Sequence, residues 1–371
     1  MKVVAESTSD FRSQVRDFLS ETSSQRDPWQ YFKDRSGVTA DLYRSLGERG
    51  WLSVSWPTSD GGSGYSAEYE FAMWDEMAYA RAARPPIAAG LVARSIIEYA
   101  TTEQKEELLP GIAAGTLSFS LGYSEPEAGS DLTGLRTTAK RDGDSYIVSG
   151  EKRWTSDAHH ADRLWLLCRT GTFESRSRGL SLLIVDTSSP NIEIRPISTF
   201  DGHQINEVRL NEVVVPVANR IGEEGAAWGM IQQALARERH LQILPGRLRA
   251  DLDELVKWSI RSGAASSAEV KGQIALLAAG VDAIGVTGEE IVRLLVEGKD
   301  TSVIAACQKI VGTSLMQKIA RYPYSWGDSS QLIEGEPFEF MWRETFLETI
   351  AGGTSQVMAG IVARAGLGLW N

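Results

Sequence analysis

Two cysteines in 371 residues, Cys168 and Cys307, are too few for a disulfide framework or a thiolate metal site, and the four histidines show no metal-ligand spacing. Both cysteines read as packing residues. Long apolar runs are missing too. Nothing approaches the ~18 uninterrupted apolar residues of a membrane span, and the opening M-K-V-V-A-E-S-T-S-D lacks the apolar core of a secretory signal. Positive charge is in deficit. Lys plus Arg at 38 against Asp plus Glu at 49 give a net charge of -11, which argues against a general binder of nucleic acid or anionic membranes but leaves room for a local basic pocket. There is no internal repeat and no low-complexity segment. The expectation is a globular cytoplasmic protein, long enough for two or three domains.

What is present falls into three regimes. From Asp10 to about Leu117 the apolar residues recur at helical intervals, as in Phe11, Val15, Phe18 and Leu19, or Leu42, Leu46 and Trp51. The turn-rich stretch Trp56 to Gly64 interrupts them, and a further helix is expected from about Ser66. Between Ser118 and Pro216 the pattern changes to short β-prone runs, among them R-L-W-L-L-C and L-S-L-L-I-V, with a hairpin signal at Asp142-Gly143. So many short strands in about a hundred residues predict a compact β-sandwich or barrel. After Gly222 the helical period returns to the end, interrupted at Ser262 to Ser267 and at Tyr322 to Ser330. The expected domains are residues 1–117, 118–221 and 222–371.

One junction in the last regime stands out. Residues 349–356 read T-I-A-G-G-T-S-Q, and each glycine costs a helix interior about 1 kcal/mol against alanine. The pair is either a plain helix break or a loop kept for a ligand.

The stretches L-G-Y-S-E-P-E-A-G-S-D-L (Leu121 to Leu132) and G-E-K-R-W-T-S (Gly150 to Ser156) resemble the acyl-CoA dehydrogenase family. Support comes from Gly62 and Gly64 after Trp56-Pro57, from Thr102 to Lys105 before Leu109-Pro110, and from G-T-S-Q near the end. The resemblance covers essentially the whole chain. It implies an α+β fold with an N-terminal helical domain, a middle β-domain and a C-terminal four-helix bundle, and FAD held between the last two. It further implies that Tyr123 and Ser124, with Leu121 beside them, serve the flavin's pyrimidine edge, and that Gly129 and Ser130 approach cofactor and substrate, Ser130 touching both. Trp154 and Ser156 would line the flavin's other side. Taken alone, Trp154 reads as a core tryptophan; the motif upstream turns the reading towards the cofactor. Glycine at 129 fits a close backbone approach with no room for a Cβ.

In that family the position before G-T-S-Q commonly carries the glutamate that takes the α-proton of the thioester, and here it is Gly352. The resemblance implies that the backbone N–H of Gly352 still donates to the thioester carbonyl, and that Thr354 and Gln356 reach the cofactor. A replacement base is offered by the helical spacing Trp228, Ile231, Leu235, Glu238, Leu241, which sets Glu238 on an apolar stripe. A carboxylate there is either functional or bridged to Arg237 or Arg239. The Glu238-Arg239 pair resembles the one from which isovaleryl- and long-chain-type members supply their base, and Arg239 is counted with the catalytic group.

The adenosine-binding loops that family homo-oligomers donate to a neighbour are not intact at R-S-G-A-A-S-S-A-E-V-K-G-Q or at Q-K-I-A-R-Y-P-Y-S-W-G-D-S-S-Q. Actinobacterial relatives acting on steroid side chains pair unlike subunits, and the pattern resembles the subunit that contributes the base of such a heterotetramer. Two expectations follow. The chain is a flavoenzyme converting an acyl-CoA, or an acyl-carrier thioester, to the trans-2-enoyl thioester and passing electrons to an electron-transferring flavoprotein. Alternatively it is a non-catalytic partner subunit or a flavin-dependent oxygenase, for which Gly352 is the telling feature.

Overall fold

The computed structural model describes residues 5–23, 37–202 and 204–369. Residues 24–36 of the helical stretch, His203 and the first four residues lie outside them. Within the described residues one compact unit comprises residues 37–64 and Pro85–Leu235, and the other residues 5–23, Tyr65–Arg84 and 236–369.

The first unit carries helices α2 (Gly37–Glu48), α4 (Ala93–Tyr99) and α5 (Thr102–Ala113) ahead of eight strands. α5 begins with a capping box in which Thr101 and Gln104 satisfy each other's backbone N–H groups. The strands are β1 (Phe119–Gly122), β2 (Thr138–Asp142), β3 (Ser145–Ser156), β4 (Arg163–Arg169), β5 (Leu180–Asp186), β6 (Ile192–Ser198), β7 (Gln204–Pro216) and β8 (Arg220–Ile221). They form one sheet in the order β6-β7-β3-β2-β4-β5-β8, with β1 parallel to β4. Asp142 pairs with Ser145, so Gly143 and Asp144 make the expected hairpin turn. β5 and β7 are separated in the sheet, yet Leu183 and Val185 share a buried cluster with Val208, Val213 and Val215. The sheet therefore curls over a single core.

The second unit is helical. α1 (Thr8–Ser23) buries Phe11, Val15, Phe18 and Leu19, the apolar stripe read from the sequence. α3 (Ala67–Tyr79) starts one residue after Ser66. Four longer helices, α7 (Pro245–Arg261), α8 (Ala268–Val296), α9 (Ser302–Ser325) and α10 (Pro337–Ile350), enclose a core of Leu248, Leu255, Trp258, Val281, Ile284, Met316, Ile319, Phe338 and Met341. α11 (Ser355–Ile361) is the last α-helix of the described residues and runs on into the π-helical turn Val362–Gly366. The break expected at Tyr322 falls later. α9 runs through Pro323 to Ser325 because its buried face, Ile319 and Ala320, extends to the proline itself. Burial there outweighs the ~3 kcal/mol that an interior proline costs a helix.

The junction helix α6 (Ala227–Glu238) buries Ala227, Met230, Ile231 and Ala234. The expected stripe is therefore turned by part of a turn. Trp228 and Leu235 are half-buried, because small Ala227 and Ala234 allow the closest packing. Glu238, one turn after Ala234, stays at the edge of the face, half-buried, and is the last α-helical residue before the 3-10 turn Arg239–Leu241.

Candidate active site

Two sequence motifs meet in the first unit. Ser124 of S-E-P-E-A-G-S-D accepts from the Arg153 N–H of G-E-K-R-W-T-S at 2.9 Å. Beneath them lies a fully buried ion pair. Lys152 donates to Glu125 Oε1 at 2.7 Å and to the Tyr123 carbonyl at 3.1 Å, and Glu125 also accepts from the N–H groups of Arg136 at 2.6 Å and Thr137 at 2.9 Å. Burial pushes the Lys152 ammonium down while the charge of Glu125 restrains it. Burial would raise Glu125, but the charge and hydrogen bond of Lys152 and the two amides hold it below the usual carboxylate range. The pair clamps residues 123–125 against 152–153.

On this clamp Trp154 is 51% exposed, with φ of +63° at a register shift between Lys152 and Thr155, and the Arg153 guanidinium lies 4.9 Å from its ring centre. It is not a core tryptophan. A large side chain in the left-handed region costs on the order of 1–3 kcal/mol, and such strain concentrates at ligand sites. Tyr123 is buried, Leu121 and Ser124 are half-buried, and Ser156 ends β3 with its carbonyl accepting from the Ser120 hydroxyl. Gly129 and Ser130 are exposed. At Gly129 no atom of the described residues lies within 4 Å of where a Cβ would stand, and its φ is not left-handed, so neither the chain's own packing nor its backbone calls for glycine there. Glycine leaves open space there. An exposed indole held in a strained conformation fits a planar ligand such as a flavin.

The second unit supplies the Gly-Gly loop. Gly352 and Gly353 have φ of +64° and +99°, a path open to glycine that turns the chain from α10 into α11. Thr354 caps α11 by accepting from the Val357 N–H at 3.2 Å, and Gln356 is exposed on its first turn. The segment after α6 and its 3-10 turn reaches the same place. Gln242, one turn beyond Glu238, would lie 2.5 Å from a Cβ at Gly352. Its buried Oε1 has no hydrogen-bond partner among the described residues. Arg239 is buried, its guanidinium pushed down by burial, and no acidic group among the described residues pairs with it. A Glu238–Arg239 bridge is therefore absent.

Three participants escape a reading of the sequence. Lys309, on the buried face of α9, donates to the carbonyls of Ala351 and, at 2.5 Å, Gly353. A lysine between Ala305 and Gly312 on a buried stripe was the signal available. Gln242 offered none. The Lys152–Glu125 pair sat inside the two motifs, but nothing in their spacing shows that they bond each other. Cys168 is buried on β4 with its thiol pushed up to about 12 by burial, an inert packing residue. Among the described residues no group of His, Cys, Asp and Glu could hold a metal ion.

Comparison with known proteins agrees with this geometry along the whole chain. Models of the acyl-CoA dehydrogenase N-terminal, middle and C-terminal domains match residues 5–116, 120–213 and 225–367. The acyl-CoA dehydrogenase FadE26 of Mycobacterium tuberculosis is 34% identical over 97% of this chain and 96% of its own length. The crystal structure of the ChsE4-ChsE5 complex from Mycobacterium tuberculosis contains a chain 32% identical, superposing with a TM-score of 0.90 over 100% of both chains. A chain of the Tcur3481-Tcur3483 steroid ACAD is 28% identical with a TM-score of 0.91, again over 100% of both. With all three domain models matched in order, the chain belongs to the acyl-CoA dehydrogenase family.

Proposed function

We propose that the chain oxidises an acyl-CoA thioester to its trans-2-enoyl product, with Glu238 as the base and the Gly352 N–H as the donor to the thioester carbonyl. The observation that carries this reading is the approach of the segment just after α6 to the Gly-Gly loop, through Gln242 against Gly352, with Glu238 four residues before Gln242 in the chain.

A proton on carbon next to a thioester is weakly acidic, so its removal needs a base and stabilisation of the developing enolate together. Glu238 takes the proton onto its carboxylate. The N–H of Gly352 donates to the oxygen on which negative charge grows. Arg239, the buried cation next to the base in sequence, is counted with the catalytic group. Ser130 meets the substrate. Tyr123, Ser124, Trp154, Ser156, Thr354 and Gln356 are the residues that would hold FAD, with Leu121 and Gly129 next to them. FAD, when bound, supplies the planar acceptor for the hydride from the β-carbon. Electrons would leave to an electron-transferring flavoprotein, and the cytoplasm is the compartment this chemistry suits.

Relatives named as two-component complexes support assembly with a second, unlike chain. Because one such relative is named a steroid ACAD, an acyl-CoA carried on a steroid is the substrate class we favour. Gly352 itself favours a second reading, since a lost carboxylate is what a non-catalytic partner or a repurposed oxygenase would show. Anaerobic mixing of the flavin-loaded protein, alone and co-expressed with its partner, with octanoyl-CoA and a steroid side-chain acyl-CoA separates the two. Bleaching of the flavin is expected; a flavin that no acyl-CoA reduces would leave the scaffold reading.

A further inference from the structure

Lys309 is a buried charge for which the reaction so far has no use. Its ammonium bridges two carbonyls, those of Ala351 and Gly353, one on each side of Gly352. In a trans peptide the C=O of one residue and the N–H of the next lie in one plane and point in opposite directions, and no cis peptide occurs among the described residues. Fixing the Ala351 carbonyl on the lysine therefore aims the Gly352 N–H away from it. No acceptor among the described residues takes that N–H.

The charge adds a second effect. A cationic donor on a carbonyl makes a stronger bond than a neutral one, and bonds in a chain polarise one another. The N–H of the same peptide becomes a better donor. Holding a glycine turn does not require this, since a neutral amide would serve at less cost than a buried ammonium. Glu348 of α10 faces Lys309 favourably and is shared with Arg84, while Arg239 opposes it. Burial outweighs Glu348, and the ammonium is pushed down to about 8.

We infer that Lys309 is a positioning residue that orients and polarises the Gly352 N–H towards the thioester carbonyl. The inference rests on the reading of Gly352 as the carbonyl donor. It is tested on the flavin-loaded assembly with Lys309→Met and Lys309→Arg, using whichever of octanoyl-CoA and a steroid side-chain acyl-CoA reduces the wild-type flavin faster. One readout is single-turnover flavin reduction at saturating thioester. The other is the infrared stretch of that thioester carrying heavy carbon at its carbonyl, which reports polarisation directly.

Lys309→Met should bind the thioester within about threefold of wild type, because ground-state binding is made elsewhere, and reduce flavin about a hundredfold more slowly, the scale of losing an oxyanion donor. Its carbonyl stretch should rise towards the frequency in water. Lys309→Arg, keeping the charge, should recover about tenfold of that loss, in line with the strength of charge-assisted bonds. An unchanged stretch and rate in Lys309→Met would overturn the inference. Should that variant fold poorly, the wild type decides: between pH about 7 and about 10 the bound carbonyl stretch should rise as Lys309 loses its proton, and a constant stretch would overturn the inference equally. Failure of every acyl-CoA to reduce the wild-type flavin would instead sink the dehydrogenase reading.

Discussion

Gly352 matters as much for its missing side chain as for its amide. A glutamate placed there would carry φ of +64° and put Cβ 2.5 Å from the Gln242 amide. Gln242 can swing aside, but the left-handed backbone costs on the order of 1–2 kcal/mol. A second carboxylate near Glu238 would also raise one of the two pKa values. Gly352→Glu is therefore expected to melt lower and to oxidise bulky thioesters more slowly, and a several-fold gain across substrates would show that Glu238 was never the base. Glu238→Gln, which keeps the shape and removes the basic oxygen, should slow flavin reduction by about a hundred- to ten-thousand-fold at saturating acyl-CoA with binding intact. A near wild-type rate would move the base to another group. Lys309 gives a third test. Its folded-state pKa is about 8 against 10.5 ordinarily, so between those values the unfolded chain binds the proton more tightly and stability rises with pH by this group's share. Over the same window the charge on the loop is lost. Melting temperature relative to Lys309→Met should climb while flavin reduction falls, and a rate that stays flat across the window would separate Lys309 from turnover. Glu238 and Gly352 could be singled out as candidates in the sequence because side chains, or their absence, mark them. Lys309 left only a charge on a buried stripe and Gln242 nothing, because what they touch is backbone far along the chain.

The elements were legible where one face decided the structure. Period-3.6 stripes such as Phe11, Val15, Phe18 and Leu19 and the turn at Gly143 encode their own burial. The rule failed where neighbours competed with it, as at Pro323, carried inside α9 by its buried face, and in α6, where two alanines rotated the packed side. The joining of the residues just after β1 to β3 was also hidden, since a contact across thirty residues leaves no periodic trace. That junction depends on Lys152 and Glu125. Removing one partner of a buried pair typically costs about 3–5 kcal/mol because a charge is left alone. Lys152→Met should lose stability on that scale in denaturant unfolding and lower flavin content by loosening Trp154. Lys152→Met with Glu125→Gln should regain much of it. If the single variant is as stable as wild type, the clamp is not what holds the two motifs together.

Across the whole molecule, surface and motifs point to a shared cofactor site. α8 exposes Leu276, Ala279, Ala283 and Val286 at helical spacing, Leu276 at 69% and Val286 at 67%. An apolar stripe of this kind on a long helix is the sort of surface that suits association with another chain, in line with the assembly proposed above. The loops from which family homo-oligomers reach a neighbour's FAD lack their motifs here, at the 3-10 turns Ala264–Ser266 and Ser329–Leu332. The motifs around Ser124 and Trp154, which we propose hold the flavin, are retained. A chain able to hold the flavin ring but not to serve a copy's adenosine end should bind FAD weakly by itself and fully beside an unlike partner. Flavin released by heat from the lone chain, measured against protein, is expected to fall well short of stoichiometric and to reach one per site in the co-expressed complex. Leu276→Glu should lower assembly and flavin content together, since added charge on a buried apolar stripe opposes association. A homo-oligomer of the chain carrying tight, stoichiometric FAD would refute the argument, and it would show that residues outside the usual loops grip the adenosine end.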